Sequence, residues 1–195
     1  MKIHSAREAW FDSYYRPGDG TNRHCESLAL VGPYQGTERV RGVAGLVNET
    51  IGAHVRSVVE RLPADLFAFG NHMYHPENND LWREAAEEFV FQLAYQRGAR
   101  MYAKKFAKAE FVAKAVLYRY RRQHQGGQNA APDPLPSPER FRDFLDYTYG
   151  IELRSESWDS EWGDFIQRCF DACNDLDQLA LAPVARLLRE MKTAA

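Results

Sequence analysis

The chain has 195 residues, of which 45% are hydrophobic and 27% charged, and a formal net charge of −2 at pH 7. That composition supplies one large or two small cored domains and argues against a disordered chain. No run of roughly eighteen apolar residues occurs, which excludes a transmembrane helix.

The start, Met1-Lys2-Ile3-His4-Ser5, has no apolar stretch of the secretory kind. The three cysteines, Cys25, Cys169 and Cys173, are an odd and sparse set, as expected of reduced thiols in a cytosol. A soluble, cytoplasmic protein is therefore expected.

In chain order, Ser5-Ala6-Arg7-Glu8 reads as a capping box. It predicts a short helix through Trp10 and Tyr14, ended by Arg16-Pro17-Gly18-Asp19-Gly20, which is a turn rather than a phosphate loop. Residues 21–36 predict no regular element. Thr37 is placed to cap a helix running towards Val47, and Val55, Val58, Val59 and Leu62 mark a further helical face stopped by Pro63. Leu66-Phe67-Ala68-Phe69 reads as a short apolar helix before the turn-rich His75–Asp80 stretch, in which Asp80 is the expected N-cap. From Leu81 to Ala94 the apolar residues recur at i, i+3, i+4, the pattern of an amphipathic helix, until Gly98.

The next segment carries the main signal. Residues 97–124 hold nine basic side chains against one acid, whereas residues 1–96 hold nine against thirteen and residues 125–195 seven against thirteen. Tyr102, Phe106, Ala109, Ala113, Val116, Leu117 and Tyr120 share one arc of a helix; Arg97, Arg100, Lys104, Lys108, Arg119 and Arg122 fall opposite, with Lys114 and Arg121 at a flank. Solvated helix faces usually mix signs for i, i+4 pairing. One-sided positive charge suits a polyanion. Arg97-Gly98-Ala99-Arg100 is also placed to be the turn of a helix-turn-helix, although Arg97 and Lys104 stand where that motif is usually apolar. Whether the segment is one long helix or two is open.

Residues 124–138, rich in Pro and Gly, read as a linker or exposed loop. Ser137-Pro138 opens a helix that closes at Gly150. Ser157 caps another with Trp158, Trp162, Phe165, Ile166, Cys169 and Cys173 on its apolar face, and the segment from Leu176 to Met191 is expected to break or kink at Pro183. The predicted fold is all-α, a bundle of roughly six to nine helices. It divides into a helical domain over 1–123, the linker 124–138 and an acidic helical subdomain over 139–195.

Other chemistry is weakly signalled. His72 and His75 could share a helix face and bind a metal, but no paired Cys or HExxH context accompanies them. Cys169 and Cys173 lie on an apolar stripe and read as core. Asp159, Glu161, Asp164, Asp171, Asp175 and Asp177 read as an acidic face for protein contact or solubility. No nucleophile, base and oxyanion site assembles, so no catalysis, metal or cofactor is expected.

Leu66-Phe67-Ala68-Phe69-Gly70-Asn71-His72-Met73-Tyr74-His75-Pro76, the basic block, the Pro-rich loop, Tyr149-Gly150-Ile151, Trp158-Asp159-Ser160-Glu161-Trp162, Asp175-Leu176-Asp177 and Ala180-Leu181-Ala182-Pro183-Val184 follow one another in an order that resembles phage- and prophage-encoded transcription antiterminators of the Q type, AlpA-like ones in particular. The resemblance implies a protein that binds DNA near a late promoter, joins RNA polymerase and its sigma factor at a promoter-proximal pause, and narrows or lines the RNA exit channel. Several branches carry a CxxC zinc finger; this chain has none, which implies a zinc-free branch.

The expected function is thus non-catalytic transcription antitermination through double-stranded DNA. Lys104, Lys105, Lys108, Arg119 and Arg122 would contact phosphates, and Arg97 or Arg100 would read bases. The alternatives are a phage repressor or activator using the same helices, a protein-interaction module docking on an acidic partner, and a metal-dependent enzyme using His72 and His75.

Overall fold

The computed structural model describes residues 5–15, 43–124, 132–153 and 157–193, with only the backbone at 43–48. The turn expected at Arg16–Gly20, the start of the helix expected from Thr37, Cys25 and residues 125–131 of the expected linker lie outside the described residues. The fold is all-α. Its helices are α1 (Ala6–Tyr14), α2 (Val43–Val59), α3 (Ala64–Tyr74), α4 (Asp80–Gln96), α5 (Ala103–His124), α6 (Pro138–Tyr149) and α7 (Asp164–Thr193), with a π-helical turn at Asp159–Gly163 leading into α7.

Local chemistry sets most helix ends. At α1 the Ser5 hydroxyl accepts from the Glu8 N–H, and the Glu8 carboxylate accepts from the Ser5 N–H at 3.0 Å, so two orphan donors are satisfied together. Asn79, one residue before the expected Asp80, caps α4 through the Leu81 N–H. Ser137 and Pro138 open α6 as predicted, and Gly150 closes it with φ 66°, a left-handed conformation that glycine adopts without a Cβ penalty. α3 runs further than the apolar tetrapeptide suggested, to Tyr74, because Asn71, His72, Met73 and Tyr74 are all buried by neighbouring helices.

α7 departs most from expectation. It continues through Pro183 as one helix of 30 residues, about 45 Å long at 1.5 Å per residue. Proline removes one N–H, which would have bonded the Leu179 carbonyl; Leu179 is an exposed position, where water can satisfy that oxygen. Packing supplies the rest: Cys169, Ala172, Cys173, Leu176, Ala180 and Val184 are all buried on one stripe. This stripe lies against α3, α4 and α5, and α7 also touches α1 and α2. Residues 139–195 therefore do not stand apart as an acidic subdomain with a core of their own. Their longest helix is the axis on which the N-terminal helices assemble.

α1 docks through Trp10, which is fully buried. Gly70 makes this possible: a Cβ there would lie 2.3 Å from Trp10 Cη2. The indole N–H donates to Asn71 Oδ1 at 3.3 Å.

A polar knot closes the same region. Asp177, 3% exposed, accepts from Arg7 at 2.7 Å, from Tyr120 at 3.4 Å and from the Tyr74 hydroxyl. Tyr120 also lies within hydrogen-bond distance of Asn174 Oδ1, at 3.1 Å. Burial first, and then the Asp177 charge, raise the phenol pKa values of Tyr74 and Tyr120 well above the ordinary range. Asp177 was expected on an acidic face. It is instead a buried acceptor tying α1, α3, α5 and α7 together.

Candidate nucleic-acid interface

The α4–α5 corner is built by a close approach. α4 ends at Gln96, and the Gly98 N–H donates to the Tyr95 carbonyl at 3.2 Å. A Cβ on Gly98 would lie 2.6–2.8 Å from the Arg168 guanidinium, so glycine lets α7 approach the turn. The first turn of α5 begins with the Lys105 and Phe106 N–H groups donating to the Tyr102 carbonyl. The basic segment 97–124 is thus a non-helical turn, 97–102, followed by the single helix α5, with α4 ending just before it.

The nine predicted cations are not on one face. Arg97 pairs with Asp175 of α7 at 2.6 Å, both partly exposed. The Lys105 ammonium donates to the Glu161 carbonyl and lies 5.1 Å from the Trp162 ring centroid. Lys108 donates to the Glu152 carbonyl at 2.8 Å. Lys114 lies 2.9 Å from Glu110 and 3.9 Å from Glu87. Arg119 grips Asp133 with a two-pronged pair, its Nε 2.9 and 3.0 Å from the two oxygens. That pair holds Asp133 below the usual carboxylate range even though partial burial, the largest influence, pushes the other way. Arg121 donates to Asn78 Oδ1 at 2.8 Å. Arg100, Lys104 and Arg122 are exposed and make no ion pair among the described residues.

The expected basic face is interrupted because α6 needs an apolar seat. Going up that face at steps of three or four, Lys104 and Lys108 are followed by Phe111 and Ala115 before Arg119 and Arg122. Phe111 meets Tyr149 at 5.4 Å, Ala115 is fully buried, and neighbouring Tyr118 stacks on Phe144 at 4.8 Å and 14°. The opposite arc packs as expected from Ala109 to Tyr120, but Tyr102 and Phe106 at its start are exposed.

What remains together is the corner itself: Arg97, Arg100 and Lys104, with Arg168 arriving from α7 and exposed Tyr102 among them. Arg168 was not among the sequence candidates because it is seventy residues away and its own helix is acidic. Its close approach to Gly98 is the one feature that sequence could have hinted at.

His72 is buried on α3, whereas His75 caps that helix and packs against Tyr14 and Trp82. Among the described residues no three His, Cys, Asp or Glu side chains come together as a metal site requires, and no helix is long and apolar enough to cross a membrane. Cys169 and Cys173 are free thiols in the core, their pKa values raised chiefly by burial.

Comparison with protein-family models, curated proteins and solved structures finds no match to this chain.

Proposed function

We propose that the protein is a non-catalytic, duplex-DNA-binding factor acting in transcription, with the α4–α5 corner as its phosphate-contacting surface. The observation that carries this is the run of exposed cations Arg97, Arg100 and Lys104 from the end of α4 into the first turn of α5. Helix N-termini favour anions, so the α5 dipole adds to the three side chains. The Arg97–Asp175 pair is partly exposed, and such pairs contribute little, so Arg97 can exchange its carboxylate for a phosphate. Within this class, the resemblance in motif order supports antitermination on RNA polymerase over repression or activation.

Three phosphate contacts predict that log K falls with log salt at a slope of about −3. Arg100→Glu with Lys104→Glu should reduce that slope by about 2 and leave helical content unchanged. Unaltered affinity and slope in the double variant would refute the assignment. A terminator read-through assay with purified polymerase then separates antitermination from promoter-only regulation.

The second reading is a module that docks on an acidic protein; the internal partners of Arg97, Lys105, Lys108, Lys114, Arg119 and Arg121 reduce the charge left for a long phosphate backbone and leave a smaller cationic patch. It predicts no salt-dependent DNA affinity.

A further inference from the structure

The far end of α5 carries a different cationic group. Arg121 lies roughly 25 Å from Lys104 along the helix and faces the start of α4, where Asn78 precedes the N-cap. It is half-buried. Its side-chain hydrogen bond goes to the Asn78 amide, which carries no counter-charge; no carboxylate pairs with it among the described residues, and its Nε is buried without an acceptor.

The groups around it make matters worse. Arg122 and Arg83 both act repulsively on Arg121, and with burial as the largest cause they hold the guanidinium below its ordinary pKa. Arg83 has carboxylates of its own, Asp80 at 3.1 Å and Glu87 at 3.6 Å. His72, buried on α3, lies within electrostatic reach of Arg121 and Arg83; burial first and those two cations next push its imidazole down to about 3. The imidazole is therefore neutral and adds no compensation. Half-buried arginines ordinarily meet a carboxylate or a phosphate, because an unpaired charge out of water is costly. This one has a neutral amide partner and no carboxylate among the described residues.

We propose that Arg121, with Arg122 and Arg83 beside it and Asn78 orienting its guanidinium, is a binding site for a phosphate group. The phosphate supplies the missing counter-charge to Arg121, and Arg122, exposed at the next position of α5, adds a second cation. The positive end of α4 adds to the field. The site is separate from the α4–α5 corner and does not rest on it. Its ligand is either free phosphate or the phosphate of a nucleic-acid backbone.

The test uses the full chain at pH 7, with inorganic phosphate and chloride at matched ionic strength. Thermal unfolding should show phosphate raising the wild-type melting temperature by about 5 °C over chloride near saturation. Arg121→Gln should abolish the difference without lowering the melting temperature in chloride, since it removes an uncompensated charge. At the same pH, adding phosphate should also move the His72 imidazole NMR resonances in the wild type only. Equal responses to phosphate and chloride, or an undiminished phosphate response in Arg121→Gln, would overturn the proposal.

The source follows from a second arm on the Arg100→Glu/Lys104→Glu variant, in which the corner is disabled. A His72 shift on adding a short duplex assigns a backbone phosphate; a shift with inorganic phosphate alone assigns a free one. No shift with either overturns the site.

Discussion

Replacing Asp177 by Ala tests whether the buried knot holds the bundle together. The carboxylate has three donors, and their losses differ. The Tyr74 hydroxyl is left in a buried position with no described alternative acceptor, which costs about 1–3 kcal/mol. Tyr120 retains Asn174 at 3.1 Å and loses little. Arg7 has a side chain 40% exposed, so water recovers part of its solvation, and its charge-assisted bond is discounted to about 1 kcal/mol. The cavity left by the carboxylate adds a packing loss, and relief of its desolvation subtracts from the total. A net destabilisation of about 3 kcal/mol follows, a large share of the roughly 5–15 kcal/mol typical of a folded domain. Asp177→Asn keeps an acceptor for Tyr74 and should lose about half as much. Urea unfolding followed by far-UV circular dichroism measures both, with the midpoint shifting at constant m-value. A double-mutant cycle with Tyr74→Phe should return a coupling of about 1 kcal/mol or more. A loss below about 1 kcal/mol in Asp177→Ala, with no coupling, would refute the view that Asp177 is a desolvated acceptor.

Gly70→Ala sets two effects against each other: helix propensity favours alanine by about 1 kcal/mol, and the new Cβ would meet Trp10 ring carbons at 2.3 and 2.7 Å. The clash should win by about 1–3 kcal/mol, Trp10→Phe in the same background should recover part of it, and a net stabilisation in the denaturation midpoint would sink this account of α1 docking. His72 predicts an acid sensitivity: above pH 6.5 neither state binds its proton, and between 6.5 and about 3 only the unfolded state does. Stability should therefore fall as pH drops, by about 2 kcal/mol at pH 5. Denaturation at stepped pH should show the slope diminished in His72→Gln; an unchanged slope would place the acid sensitivity elsewhere.

The features read correctly from sequence are those whose physics is local. Ser5 and Glu8 are three residues apart and satisfy each other, and Ser137, Pro138 and Gly150 mark the ends of α6 without help from the rest of the chain. The apolar stripes of α4, α5 and α7 repeat at helical spacing because each faces one core. Misreadings begin where a distant partner decides. Pro183 marks a break in isolation, but the buried stripe from Cys169 to Val184 carries the helix through it. Asp177 sits among surface acids in the sequence, and only its meeting with Arg7, Tyr74 and Tyr120 shows it to be internal. Phe111 and Ala115 pass for minor gaps in a basic face until α6 occupies them.

The charge pattern along the chain has a second meaning once the partners are known. The acidic flanks and the basic centre were read as a polyanion-binding element on an acidic body. In the fold, Arg97 meets Asp175, Arg119 meets Asp133, and Lys114 meets Glu110 and Glu87, so acids from both flanks and one within the segment neutralise its cations. Segregated charge in sequence is here largely charge complementarity in space, and it favours this arrangement of helices over arrangements that bring like charges together. The binding potential of the segment is then set by what such pairing leaves over. The remainder is concentrated at its two ends: the exposed Arg100 and Lys104 at the corner, and Arg121, bonded to Asn78 ahead of α4, with exposed Arg122 next to it in the chain. Two separated cationic ends on one helix predict two independent anion responses, where the unbroken basic face read from the sequence would have given one.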